Sequence, residues 1–202
     1  MVFSQSTPRF RHGTDFSSIK QLDSTAWILV PVQWKNNGKI ANIKIEAWRD
    51  KKNVLFYNPD TDENRMLFTD SVQIIREFTG HLLKYRSPTD TTRRPPNKLF
   101  IYYKVTNHDY NGDNKLDSDD PVYLYHSNFN GHGLERITPV EHNLKEYEYF
   151  KDQNIILALL ERDINKDREF DEKDAEILYK IDLNDLSKSR VISVMTIQSD
   201  GK

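Results

Sequence analysis

Alternation of apolar and polar residues with a period of two is the dominant pattern along this chain. Successive side chains of a β-strand point to opposite faces of its sheet, so alternation rich in aromatic and β-branched residues predicts strands. Twelve segments fit: Ile28–Trp34, Ile40–Trp48, Val54–Tyr57, Arg65–Phe68, Val72–Phe78, Leu99–Val105, Val122–His126, Leu134–Ile137, Glu146–Phe150, Ile155–Glu161, Glu176–Ile181 and Arg190–Val194. The pattern therefore predicts an all-β domain built from antiparallel sheets.

Two of these segments leave the type of element open. Val72–Tyr85 also allows a helical period, and Ile155–Leu160 is too short and too continuously apolar for its period to decide. Between the strands, Asn36–Gly38 favours a hairpin turn. Ser87–Asn97 is polar and contains consecutive prolines, which predicts a loop because proline cannot lie inside a central strand.

A repeated arrangement underlies the strands. Three times, an apolar run ends in a tyrosine, a short polar turn follows, and an arginine opens a second apolar run. The segments are Asn53–Asp70, Pro121–Pro139 and Ala175–Ser193, with tyrosines Tyr57, Tyr125 and Tyr179 and arginines Arg65, Arg136 and Arg190. This predicts three units of four strands, at about residues 25–70, 71–139 and 140–198 of one domain. Residues 1–24 are expected to form an N-terminal extension.

Composition excludes several classes of protein. The 202 residues include 10 Phe, 10 Tyr and 3 Trp, enough to build a core. The net charge of -2 gives no reason to expect nucleic acid as a partner. Without cysteine there are no disulfides and no thiolate metal sites. No apolar run reaches the length of a membrane helix. The first residues, Met1–Ser6, look like the end of an exported bacterial precursor behind a new methionine.

Two twelve-residue stretches share the spacing D-x-N-x-D-x-x-(apolar)-D-x-x-D, beginning at Asp109 and at Asp163. Oxygen ligands at positions 1, 3, 5, 9 and 12, with the carbonyl of position 7, suit a hard divalent cation such as Ca²⁺. The predicted ligands are Asp109, Asn111, Asp113, Lys115, Asp117 and Asp120 in the first loop, and Asp163, Asn165, Asp167, Glu169, Asp171 and Asp174 in the second. Lys115 and Glu169 would contribute only backbone oxygens. The sequence thus predicts two calcium sites.

Details of the loops predict how they work. Position 6 favours positive φ, so Asn114 suits it better than Arg168, and we expect the second site to be weaker or slightly distorted. Leu116 is the apolar residue expected to anchor the first loop to the core. A strand-like run follows each loop, whereas a calcium sensor needs helices that open and close. The ions are therefore expected to be structural, because they neutralise clustered carboxylates and hold hairpins in place.

Residues Tyr123–Pro139 resemble the outer hairpin of the WD-like blades in TolB-type and related exported bacterial β-propellers. Glu141–Ile181 is similar to one whole blade, and the resemblance covers about residues 97–194. In this chain Phe150–Gln153 replaces the Ser-Pro-Asp-Gly turn of that family, and a calcium loop of EF-hand-like (dockerin or integrin) type replaces a short turn. The resemblance implies a periplasmic or cell-surface protein that binds or scaffolds another envelope protein or a glycan.

Three units are fewer than the four to eight blades of a propeller. The domain can be open or otherwise closed, it can be a fragment, or two copies can complete a six-bladed ring as a homodimer. Nucleophile, P-loop and dinucleotide motifs are missing, so the expected role is not enzymatic. Two alternatives remain. A dockerin-like module would need a helix after each loop, and an accessory or catalytic domain of a hydrolase would need a working carboxylate pair.

Overall fold

The computed structural model describes residues 14–16, 19–22, 25–34, 38–40, 43–45, 50–69, 73–80 and 100–195. Within these ranges the protein consists of strands, loops and one 3-10 helix at Leu186–Lys188, with no α-helix. The prediction of an all-β fold is therefore confirmed. The same residues contain no helix with the length and apolar character needed to cross a membrane.

The strands of the described residues are β1 (Thr14–Phe16), β2 (Lys20–Gln21), β3 (Ile28–Trp34), β4 (Gly38–Ile40), β5 (Ile43–Ile45), β6 (Lys51–Asn58), β7 (Glu63–Met66), β8 (Ile74–Gly80), β9 (Phe100–Thr106), β10 (Lys115–Leu116), β11 (Tyr123–Asn128), β12 (Glu135–Arg136), β13 (His142–Phe150), β14 (Ile155–Arg162), β15 (Ala175–Asp182) and β16 (Arg190–Met195).

These strands form three sheets. The largest has the order β1-β3-β6-β8-β9-β11-β12, with β2 also paired to β3 and β7 also paired to β6. A four-stranded meander follows the order β13-β14-β15-β16, and a small sheet follows the order β10-β5-β4. All pairs are antiparallel except β10 with β5. The described strands do not close into a barrel or a ring, and the number of blades stays a prediction.

Strand β9 separates two hydrophobic cores because its side chains alternate. Ile101 and Tyr103 lie in a core with Phe56 of β6, whereas Tyr102 lies in a second core with Ile156 of β14. The first core joins distant strands of the large sheet, since a Cβ on Gly131, beyond β11, would lie only 2.7 Å from the Phe56 ring. Strands β9 and β11 of the large sheet thus contribute side chains to a core on each face.

Most strands lie where the pattern of the sequence predicts them, and the segment that contains β4 and β5 is the exception. Ile74–Gly80 is a strand, so the helical alternative for Val72–Tyr85 is wrong over those residues. The hairpin expected across Asn36–Gly38 does not form between β3 and β4, because β3 already pairs with β1, β2 and β6. The single strand predicted over Ile40–Trp48 is instead interrupted, and β4 and β5 pair with each other.

Two other predictions concern the N-terminal extension and the proline-containing loop. Strands β1 and β2 lie within the predicted N-terminal extension and pair with β3, so residues 14–16 and 20–21 contribute to the large sheet. The predicted loop Ser87–Asn97 and the first residues of the chain lie outside the described residues.

Candidate metal centres

The two predicted calcium loops share seven hydrogen bonds from backbone N–H groups to loop side chains, position by position. In the first loop, Asp109 accepts hydrogen bonds from Gly112 N and Asn114 N at 2.9 and 3.0 Å. Asp163 accepts from the equivalent nitrogens of Lys166 and Arg168. Five further hydrogen bonds from backbone N–H groups have equivalents in both loops. The accepting side chains are Asn111, Asp113, Asp117 and Asp120 in the first loop and Asn165, Asp167, Asp171 and Asp174 in the second, and the last residue of each loop accepts two.

Two residues in each loop have left-handed backbone. At position 6, Asn114 has φ 63° and Arg168 has φ 68°, as the spacing predicts. Position 4 is also left-handed, at Gly112 and Lys166, which the sequence analysis missed. Arginine and lysine disfavour this region, so the surrounding hydrogen bonds must hold them there. The expected distortion of the second loop is not visible in these contacts, while its weaker affinity stays a prediction.

The first loop is anchored to the fold by its apolar residue. Leu116 is 2% exposed and packs in a third core with Trp34, Ile74 and Ile43, so the predicted anchor is present. Its strand, β10, pairs in parallel with β5, and Lys44 N donates to Asn114 O at 2.8 Å. This parallel pairing was not predictable from local pattern, because it joins segments about 70 residues apart.

Arg76 of β8 makes a second attachment to the first loop. Its Nη2 donates to the backbone oxygen of Asp117, and its Nε donates to Thr106 Oγ1 at 3.2 Å. Position 9 of the loop is therefore tied to the large sheet through a guanidinium. Nothing in the motif spacing indicates this residue.

The two loops also contact each other. The hydroxyl of Tyr110, at position 2 of the first loop, donates to Asp163 Oδ2 at 3.0 Å. Its ring stacks on Phe170 of the second loop, with centroids 5.2 Å apart and planes at 27°. Burial first, and then the bond to Asp163, raises the pKa of Tyr110 to about 12, so this hydroxyl is protonated at neutral pH. Although the loops begin 54 residues apart in sequence, the fold makes them neighbours.

The residues of both loops fit a hard divalent cation in donor type and in backbone shape. Carboxylate, amide and carbonyl oxygens stand at the required positions, and the left-handed residues bend the chain around them. In the described part of the chain, however, no three carboxylate or imidazole side chains converge into a metal cluster. Lys115 Nζ bonds Asp113 Oδ2 at 2.6 Å and Lys173 Nζ bonds Asp171 Oδ2 at 2.8 Å, so in each of these predicted ligands one oxygen contacts an ammonium group.

The last residue of each loop is buried. Asp120 is 3% exposed and Asp174 is 4% exposed. In the first loop, Asp120 Oδ1 accepts from Tyr110 N at 2.8 Å and Oδ2 accepts from Asp117 N at 3.1 Å. Burial raises the pKa of Asp120 to about 6, despite the lowering effect of these two hydrogen bonds. Without a cation, this carboxyl therefore ionises at a higher pH in the folded protein than in the unfolded chain.

We expect calcium-free protein to lose stability as the pH rises from about 4 to above 6. The pKa of Asp120 is higher in the folded than in the unfolded state, so folding binds a proton, and this contribution disappears as the pH passes the folded pKa. Urea unfolding in EDTA at several pH values measures how the free energy of unfolding depends on pH. The Asp120→Asn variant is the control, and its stability should lack this decline. A wild-type curve parallel to that of the variant would contradict the assignment.

A strand follows each loop, as predicted: β11 after the first and β15 after the second. No α-helix flanks either loop within the described residues, so the helix that a dockerin needs after each loop is not there. Beside the first loop lies an open cleft of about 430 Å³, lined by Asn107, His108, Tyr110, Tyr123, Arg136, Val140 and Glu141. The guanidinium of Arg136 lies 5.2 Å from the centre of the Tyr123 ring.

Comparison with known proteins gives no family: no protein-family model matches this chain, and no curated protein matches it either.

Proposed function

We propose that this chain is a calcium-stabilised, propeller-like β-domain that acts outside the cytosol in binding or scaffolding. The observation that carries the proposal is the set of seven backbone hydrogen bonds that the two loops share position by position. Two unrelated acidic turns have no physical reason to share both this bonding and the same left-handed residues. A common requirement for holding a cation supplies that reason.

The ions would have a structural role in this proposal. Each loop joins two long antiparallel strands, β9 to β11 and β14 to β15. Calcium would neutralise carboxylates that otherwise repel one another and would fix the entry of the following strand. Two bound ions would also change the net charge of the chain from -2 to about +2. The described residues that flank the loops form strands and no α-helices, which favours this role over that of a sensor.

Calcium titration tests the proposal directly. We expect isothermal calorimetry to detect two Ca²⁺ per chain, with dissociation constants of about 10 μM to 1 mM, the range from weak sensors to extracellular modules. Asp113→Ala and Asp167→Ala remove position 5 of one loop each and should each leave one site. Asp152→Ala, at an exposed carboxylate outside the loops, is the matched control and should leave both. Absence of calcium binding by the wild type at millimolar calcium would refute the proposal.

The propeller-like arrangement is supported by the order of strands. β8-β9-β11-β12 and β13-β14-β15-β16 are both four-stranded antiparallel meanders, each with a calcium loop between its second and third long strand. They pack face to face through the second core. A third unit built from β3, β6 and β7 would be continuous with the first meander through the β6–β8 pair, with its Phe56 packed on the opposite face of β9. Whether the stack stays open or two copies close a ring can be measured by light scattering of the purified protein.

The binding role is supported by the cleft beside the first loop. Its volume of about 430 Å³ lies within the range of small-molecule sites, about 300–1,000 Å³. The lining combines tyrosine rings with a guanidinium, a carboxylate and an amide, a mixture that suits a glycan or a polar segment of an envelope protein. Export is supported by the millimolar calcium outside the cytosol, which would keep sites of modest affinity filled.

A further inference from the structure

Tyr110 connects the closing residue of the first loop to the opening residue of the second. Its backbone N–H donates to Asp120 Oδ1 at 2.8 Å, and its hydroxyl donates to Asp163 Oδ2 at 3.0 Å. Its ring lies against Phe170, the apolar residue at position 8 of the second loop. One side chain therefore spans from position 12 of one candidate site to position 1 of the other.

The hydroxyl of Tyr110 determines which oxygen of Asp163 remains available to a cation. Oδ2 accepts two hydrogen bonds, from the Tyr110 hydroxyl and from Arg168 N. Oδ1 accepts one, from Lys166 N. Because a carboxylate oxygen has two lone pairs, Oδ2 is saturated and Oδ1 keeps one lone pair. The contact thus orients Asp163 with Oδ1 as its ion-facing oxygen.

Within the described residues, no side chain of the second loop donates a matching hydrogen bond to the first. Position 2 of the second loop is Ile164, whose side chain cannot donate a hydrogen bond, and each oxygen of Asp109 accepts one backbone N–H. A further close approach joins the loops at Gly112, where a Cβ would lie 3.3 Å from Nη1 of Arg168. Tyr110 of the first loop therefore reaches the second, while the Arg168 side chain of the second lies against the backbone of the first.

We propose that Tyr110 is a positioning residue for the second calcium site and couples the two sites, so that an ion in either loop strengthens binding in the other. The inference rests on the calcium proposal above. An ion in the first loop holds Asp120, Asp120 holds the backbone of Tyr110, and the tyrosine hydroxyl then holds Asp163 in its binding orientation. Thermodynamic linkage requires the effect to be equal in both directions.

The test is a double-mutant cycle measured by calcium calorimetry on the full chain. Its four proteins are the wild type, Tyr110→Phe, a first-loop variant (Asp109→Asn with Asp113→Asn), and the combination of both changes. We expect the second loop of the first-loop variant to bind calcium about 10-fold more weakly than it does in the wild type. Tyr110→Phe should lower the calcium affinity of the second loop by a similar factor. In the combination, disabling the first loop should add no further loss.

Tyr57→Phe is the matched control, because the Tyr57 hydroxyl donates to exposed Asp62 at 2.8 Å, away from both loops. It should leave both affinities unchanged, and circular dichroism should show all variants folded. If Tyr110→Phe binds two ions with wild-type affinities, the coupling is refuted while the calcium proposal stands. If the wild type binds no calcium, the calcium proposal is refuted and this inference with it.

Discussion

Chelating calcium should lower the melting temperature of this protein by about 10 °C or more. A ligand present at about 100 times its dissociation constant stabilises the folded state by about 2.7 kcal/mol, so two filled sites contribute about 5 kcal/mol. For a chain of about 200 residues, each kcal/mol corresponds to roughly 2–4 °C. Scanning calorimetry in excess calcium and in EDTA measures the difference.

Two controls separate specific binding from general screening of the acidic loops. Magnesium should restore much less stability than calcium, since it requires octahedral geometry and dehydrates reluctantly. Sodium chloride at matched ionic strength should restore little, because the carboxylates at position 12, Asp120 and Asp174, are buried and poorly screened. An unfolding curve that EDTA leaves unmoved at low calcium would show that the ions are not structural.

Truncating the anchor of the first loop should have the second large effect. Leu116→Ala removes a side chain that is 2% exposed and packed against Trp34, Ile74 and Ile43. We expect a loss of about 2–5 kcal/mol in the free energy of unfolding, because the cavity adds to the lost transfer energy. The first loop should also bind calcium more weakly, since β10 would lose its packing beside β5. Chemical denaturation and calcium titration measure the two effects.

Leu159→Ala is the matched control for this substitution. The same side chain is removed, but Leu159 is 42% exposed on the four-stranded sheet, so the expected loss is below about 1 kcal/mol. Equal losses for the two variants would mean that Leu116 does not anchor the loop. A loss of stability at Leu116 without any change in calcium binding would show that the packing supports the fold but not the site.

Local pattern was a good guide to the elements of this protein. The aromatic and β-branched residues of Leu99–Val105 predicted strand β9, in which Ile101 and Tyr103 face one core and Tyr102 faces the other. The spacing of the two loops predicted their conformation, including positive φ at Asn114 and Arg168. It missed the second left-handed position, at Gly112 and Lys166, since the expectation concerned position 6 alone.

Pairing between distant segments was the part that local pattern could not supply. The turn signal at Asn36–Gly38 is a strong local preference, yet β4 pairs with β5, and β5 in turn pairs with β10 of the first calcium loop. Both edges of β3 are occupied by strands from other parts of the chain. Hydrogen bonding to those strands, and burial of their apolar faces, outweigh the preference of a single turn.

The sequence by itself determined the all-β class, most strands, and the backbone shape of two acidic loops, because these depend on the period of apolar residues and on the φ preferences of single residues. Only the tertiary structure decided that the loops are neighbours, that Tyr110 bonds Asp163, and that Arg76 holds Asp117. Those contacts join residues 41 to 53 positions apart, and no local periodicity encodes which distant side chains the packing of two sheets brings together.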